Sequence, residues 1–92
     1  MSEYIEIQTE LSDDGRTMSF YTNLTLSEGE VETYDSPAAM EEGSPVAQAF
    51  AVVDGIAQLR LEGSDMHITR AADAPWHSIV ADVTAALKDF FL

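Results

Sequence analysis

Apolar and polar residues alternate along this chain with two distinct periods. From Tyr4 to Leu11 the period is two: Ile5, Ile7, Thr9 and Leu11 share one face, and Glu6, Gln8 and Glu10 the other. That pattern predicts a strand with one wet side. Thr17 to Thr22 repeats it, with Met18 and Phe20 inward. Between them, Ser12-Asp13-Asp14-Gly15-Arg16 has turn composition, since Asp bonds local backbone and Gly tolerates positive φ. The two runs make a hairpin. Leu24 and Leu26 alternate with Thr25 and Ser27, which carries the second strand through a bend. Val31 to Tyr34 reads as a short edge strand. Glu28, Glu30 and Glu32 project to one side of it and blunt edge-to-edge pairing.

Asp35-Ser36-Pro37 is suited to capping a single helical turn over Ala38-Ala39-Met40, stopped at Gly43. The run from Ser44 to Leu61 then organises the chain. Ser44 is an N-cap, and Pro45 suits the first helical position, where no N–H is needed. Val46, Ala49, Phe50 and Val53 form one helical stripe, ended at Asp54-Gly55. Ala57, Leu59 and Leu61 alternate with Gln58, Arg60 and Glu62, which predicts a half-buried strand. Glu62-Gly63-Ser64-Asp65 is a tight turn, after which Met66 and Ile68 alternate with His67 and Thr69. Ala71 to Ala74 is a linker, with Asp73 as cap and Pro75 in the first turn of a last helix. Its stripe is Trp76, Ile79, Val80, Val83, Leu87, Phe90 and Phe91. The order ββ(β)αββα predicts an α+β two-layer sandwich. A four- to five-stranded, mostly antiparallel sheet carries two helices on one face.

Composition narrows the function more than the fold. Ninety-two residues, 46% of them apolar, make one small folded domain over residues 1–92. No apolar run approaches the ~20 residues of a membrane span, and the acidic N-terminus does not read as a signal peptide. A cytoplasmic protein is expected. Cysteine is absent, which excludes a disulfide, a thiol nucleophile and thiolate ligation of zinc or an iron–sulfur cluster by this chain. The net charge is −13. Residues 1–43 hold eleven acids and one base, Arg16, and so carry −10, while residues 44–92 carry −3. Phosphate backbones and anionic membranes are repelled, so no nucleic acid or membrane partner is expected. A basic protein partner or a cation is allowed, and so is a surface that is simply soluble.

Candidate chemistry is sparse. Glu28, Glu30 and Glu32 are hard oxygen ligands of the kind Ca²⁺ takes, but no Gly-centred Asp loop accompanies them; solvated edge charges explain them as well. His67 and His77, the two histidines, fall short of the ligands a zinc site needs and read as surface residues. Neither a nucleophile-elbow serine nor a Gly-rich phosphate loop is present, so no enzyme and no cofactor is expected. Trp76, Phe90 and Phe91 are of the type that anchors a partner surface, but Trp76 and Phe90 read rather as core, and Phe91 with Leu92 as a terminal apolar pair that needs cover.

Several pieces, in order, resemble a known family. They are Ile5-Glu6-Ile7-Gln8-Thr9-Glu10, Thr17-Met18-Ser19-Phe20 and Gly43-Ser44-Pro45-Val46-Ala47. Phe50, Gly55-Ile56, the strand around His67-Ile68-Thr69-Arg70, Trp76 and Phe90-Phe91 follow. Their order and spacing resemble the N-terminal domain of NifU-like (Nfu) iron–sulfur cluster scaffold proteins. Two departures stand out. The family's Pro-Asn-Pro loop is Ser12-Asp13-Asp14-Gly15 here, and its lysine in the second strand is Ser19. Family members that bind clusters use a separate C-terminal Cys-x-x-Cys domain, so this chain resembles the accessory domain standing alone.

The resemblance implies a non-catalytic accessory or protein-interaction module linked to iron–sulfur cluster assembly or transfer, not itself a cluster ligand. The alternative is an acidic cation-binding or structural domain unrelated to iron–sulfur chemistry. The expected partner is a protein with a basic surface, such as an iron–sulfur scaffold or client, met by a monomer. The acidic footprint is Glu28, Glu30, Glu32, Glu41 and Glu42.

Overall fold

Two hairpins and a short edge strand build the sheet of the computed structural model, which describes residues 5–91. The first hairpin is β1 (Ile7–Leu11) with β2 (Thr17–Thr22); the second is β4 (Ile56–Glu62) with β5 (Asp65–Arg70). β3 (Glu32–Tyr34) adds to the outside of β4. The strand order is β1-β2-β5-β4-β3, and every pair is antiparallel. The hairpins therefore join through β2 and β5, with Phe20 opposite Met66 and Met18 opposite Ile68. Both helical stripes and the inward strand residues meet in one core, where Phe20, Phe50, Leu61, Met66, Ile68, Ile79 and Val83 are at most 1% exposed. Truncating Phe50 there would cost about 3–5 kcal/mol.

Ser36 caps α1 (Pro37–Glu41), and Ser44 caps α2 (Pro45–Phe50), each hydroxyl accepting from the backbone N–H three residues on. α2 is shorter than its stripe suggests. It ends at Phe50, and turns carry Val53 into the core before Gly55, whose φ of +96° L side chains rarely adopt. A Cβ at Gly55 would also sit 3.0 Å from Ala74 and 3.1 Å from Ile79. A register shift at the start of β4 brings Ile56 to the same buried side as Leu59 and Leu61. The last helix, α3, spans Trp76–Phe91.

Five local expectations are corrected. The first strand is not dry on one side beyond Ile7: as an edge strand it leaves Gln8, Thr9, Glu10 and Leu11 all exposed, Leu11 by 49%. The second strand does not continue past Thr22. The chain instead passes under the tip of the second hairpin, where Gly63 carbonyl accepts from Leu26 (2.8 Å) and Ser27 (3.0 Å). Asp73 adopts φ +65°, outside the extended region an N-cap takes. Glu28 and Glu30 lie in bends before β3, so only Glu32 is a strand residue. Phe90 is 44% exposed and not core. Buried Ile79, Val83 and Leu87 advance in fours toward Phe91, and successive residues lie about 100° apart, so Phe90 falls on the flank. The predicted start of the first strand at Tyr4, and Leu92, lie outside the described residues.

Candidate interaction surface

The helices cover one face of the sheet, and the other is open and polar. Antiparallel register lines up Glu10, Ser19, His67, Arg60 and Thr33 across all five strands. His67 Nδ1 is 2.8 Å from Ser19 Oγ, and Thr17 and Thr69 hydroxyls are 3.2 Å apart. Beside them lies a shallow depression of about 340 Å³. A serine–histidine pair is thus present, but the strand neighbour on the other side of His67 is Arg60, where a triad would need an acid. Arg60 pairs with Glu62 at 2.9 Å, with both side chains about half exposed.

The acidic residues gather at a different place, where β3, the α1–α2 junction and the end of α3 meet. Tyr34 ties β3 to the α1–α2 junction. Its hydroxyl donates to Glu32 Oε1 and accepts from Ser44 N–H at 3.2 Å. Gly43 lies so close to the Tyr34 ring that a Cβ there would fall 2.6 Å from Cζ. Partial burial pushes the Glu32 carboxyl up, but the Tyr34 hydroxyl and the nearby Ser44 and Ser27 hydroxyl dipoles outweigh it and hold the group below its ordinary value. Ser27 Oγ also donates to Glu30 carbonyl. Glu41 is the last residue of α1 and Glu42 its C-cap, and both are exposed.

A groove of about 470 Å³ opens next to this network. Its deep part is apolar, formed by Leu26 and Val46, with exposed Pro45 at the side. Phe90 and Phe91, packed edge to face with centroids 4.9 Å apart, line it from α3. Glu28 and Glu32 supply its carboxylates. Of the five predicted footprint residues, the fold brings Glu28 and Glu32 to one groove. Glu41 and Glu42 stand at the adjoining α1–α2 junction, and Glu30 takes part through its carbonyl. Among the described residues no three His, Asp or Glu side chains come together as metal ligands. The groove itself was missed from sequence. Its one legible signal was a terminal aromatic pair at the end of a stripe otherwise explained by core packing.

The opposite end of α3 is closed. Trp76 indole N–H donates to Gly15 carbonyl at 2.7 Å, and the Arg70 guanidinium lies 5.9 Å from the ring centroid. Arg70 also donates to Ala74 carbonyl at 2.9 Å. In the turn below, Asp14 accepts from Ser12 hydroxyl (2.7 Å) and Arg16 N–H (3.0 Å), which lowers its carboxyl from the ordinary value. Trp76 is thus a clamp on the β1–β2 turn.

The described residues thus form a two-layer α+β domain with one open, polar sheet face and an acidic groove. The chain matches the family described as scaffold protein Nfu/NifU N terminal over residues 7–92, and belongs to it. That family is of the scaffold type and is not known as a catalytic one. The crystal structure of protein SAV1430 from Staphylococcus aureus is similar, with a TM-score of 0.67 and 16% identity. The match covers 89% of this chain and 98% of that one. At this identity the likeness is one of fold. No curated protein matches the chain. Among the described residues no helix is long and apolar enough to cross a membrane.

Proposed function

We propose that this domain is a non-catalytic docking module of iron–sulfur cluster assembly or transfer, working as a monomer in the cytoplasm. Membership of the Nfu/NifU N-terminal family over residues 7–92 carries the reading. With no cysteine in its 92 residues, the chain offers no thiolate to a cluster, so its part is to hold a cluster-bearing domain or a client. The contact is electrostatic at first encounter. Glu28, Glu30, Glu32, Glu41 and Glu42 meet a basic surface, and the −10 carried by residues 1–43 attracts it from a distance. Such steering raises the association rate more than it slows dissociation, and salt weakens it.

The test is an amide-shift titration of the labelled chain with a Cys-x-x-Cys iron–sulfur scaffold domain, at low and at physiological salt. Saturable shifts at residues 28–32 and 41–44, with an association rate that falls as salt rises, are expected. No shifts with either apo or cluster-loaded domain would overturn the reading. Ca²⁺, Fe²⁺ and Zn²⁺ titrations run alongside: saturable, localised shifts with a metal alone would favour the cation-binding alternative.

A further inference from the structure

The groove between α2 and the end of α3 combines an apolar floor with an acidic rim. Its depth is apolar, with Leu26 only 3% and Val46 only 8% exposed. Its charged lining is wholly acidic: Glu28 and Glu32 belong to it, and none of the chain's four basic residues does. Its volume of about 470 Å³ falls within the ~300–1,000 Å³ typical of binding clefts. Phe90 and Glu28 at its mouth are both exposed, so it admits a chain from the side and does not enclose a small molecule.

Charge decides among occupants. A second copy of this chain brings −13 to the contact, and an anionic lipid or fatty carboxylate meets Glu28 and Glu32 directly. A cationic chain is attracted. Glu32 is also pre-organised for it: the Tyr34 hydroxyl, itself held by Ser44 N–H, donates to the carboxylate and favours its charged form. Phe90 offers an exposed aromatic ring beside these carboxylates, a surface that takes either an apolar side chain or a guanidinium.

We propose that this groove docks an extended basic segment of a partner protein. A leucine-sized side chain seats over Val46 and Leu26 beside Phe90, while flanking Lys or Arg head groups meet Glu28 and Glu32. The assignment rests on the reading that the acidic side of the domain meets a basic partner; it adds the place, the anchor and the form of the partner. The apolar anchor supplies affinity that surface charge alone does not, because exposed ion pairs contribute little.

The probe is a synthetic peptide, Gly-Lys-Arg-Leu-Leu-Arg-Lys-Gly, with a control in which both leucines are serine. Each is titrated into the full labelled chain, and into Phe90→Ser and Glu28→Gln variants. Both replaced side chains are exposed, so the variants are expected to keep the wild-type amide spectrum. The leucine peptide should shift residues 25–28, 44–46 and 90–91. Loss of the leucines, or Phe90→Ser, should each weaken binding about tenfold, and Glu28→Gln about threefold. Equal binding of both peptides, unaffected by Phe90→Ser, would overturn the groove while leaving electrostatic docking in place. Absence of binding by either peptide at low salt would overturn the groove, and the scaffold-domain titration would then decide electrostatic docking separately. Leucine-peptide binding with no response to the scaffold domain would retain the groove and remove its link to iron–sulfur chemistry.

Discussion

The two ends of α3 carry aromatic residues in the same stripe, and the fold uses them in opposite ways. At the start, Trp76 is fastened to the β1–β2 turn by its indole N–H and lies near the Arg70 guanidinium. At the other end, Phe90 is 44% exposed above a groove rimmed by Glu28 and Glu32. Periodicity marks both as apolar positions of one helix. What separates them is what the rest of the chain brings near. A turn carbonyl reaches Trp76, whereas the helix phase turns Phe90 to the flank. An aromatic residue with its polar handle satisfied is an internal fastening. One left open beside unbalanced charge is a place for something else.

This contrast is sharpest in stability. Trp76→Ala should lower unfolding free energy by about 2–4 kcal/mol, since it removes a half-buried ring and leaves the Gly15 carbonyl unpaired. Trp76→Phe keeps an aromatic ring, though a smaller one without the N–H, and should cost less, about 1–2 kcal/mol. Urea denaturation measures both. An equal loss on Phe90→Ala would erase the distinction between the ends.

Gly43→Ala comes next, at about 1–2 kcal/mol. The added methyl meets the Tyr34 ring, which can retreat only by giving up its bonds to Glu32 and to Ser44 N–H. Displaced Ser44 and Glu32 amide signals would accompany the loss. An unchanged midpoint would mean that the groove end is less tightly built than the contacts indicate. Phe90→Ala itself should change stability by under about 1 kcal/mol.

The smallest effect is on pH. Asp14 at the closed end and Glu32 at the open end both hold their protons less tightly in the folded chain. Their contribution is therefore present above the ordinary carboxylate range, about 4, and is lost as pH falls through the lowered folded values. Asp14→Asn and Glu32→Gln should each flatten the acid side of a stability–pH curve from urea midpoints. A curve that either variant leaves unchanged would remove that residue from the account.

Much of the fold could be read directly. Met18 and Phe20, Leu59 and Leu61, and Met66 and Ile68 alternate with polar neighbours, and each pair is buried. Ser36 and Ser44 act as the caps their positions indicate. The candidate surface was legible only as charge. Glu28, Glu30 and Glu32 have strand-like spacing, yet the hydrogen bonds from Leu26 and Ser27 to Gly63 hold their segment off the sheet until β3 begins. His67 was correctly on a polar side, but its partner Ser19 lies 48 positions away.

Alternation, caps, the charge of −13 and the absence of thiols are properties of neighbouring residues or of the whole composition, and the chain carries them before it folds. Which hairpin edge joins which, that Tyr34 ties Glu32 to Ser44, that Trp76 finds Gly15, and that Phe90 remains open are decided by residues brought together from distant positions. A local period states which face of an element is apolar. Only the packed sheet and helices determine how far along that face the cover extends.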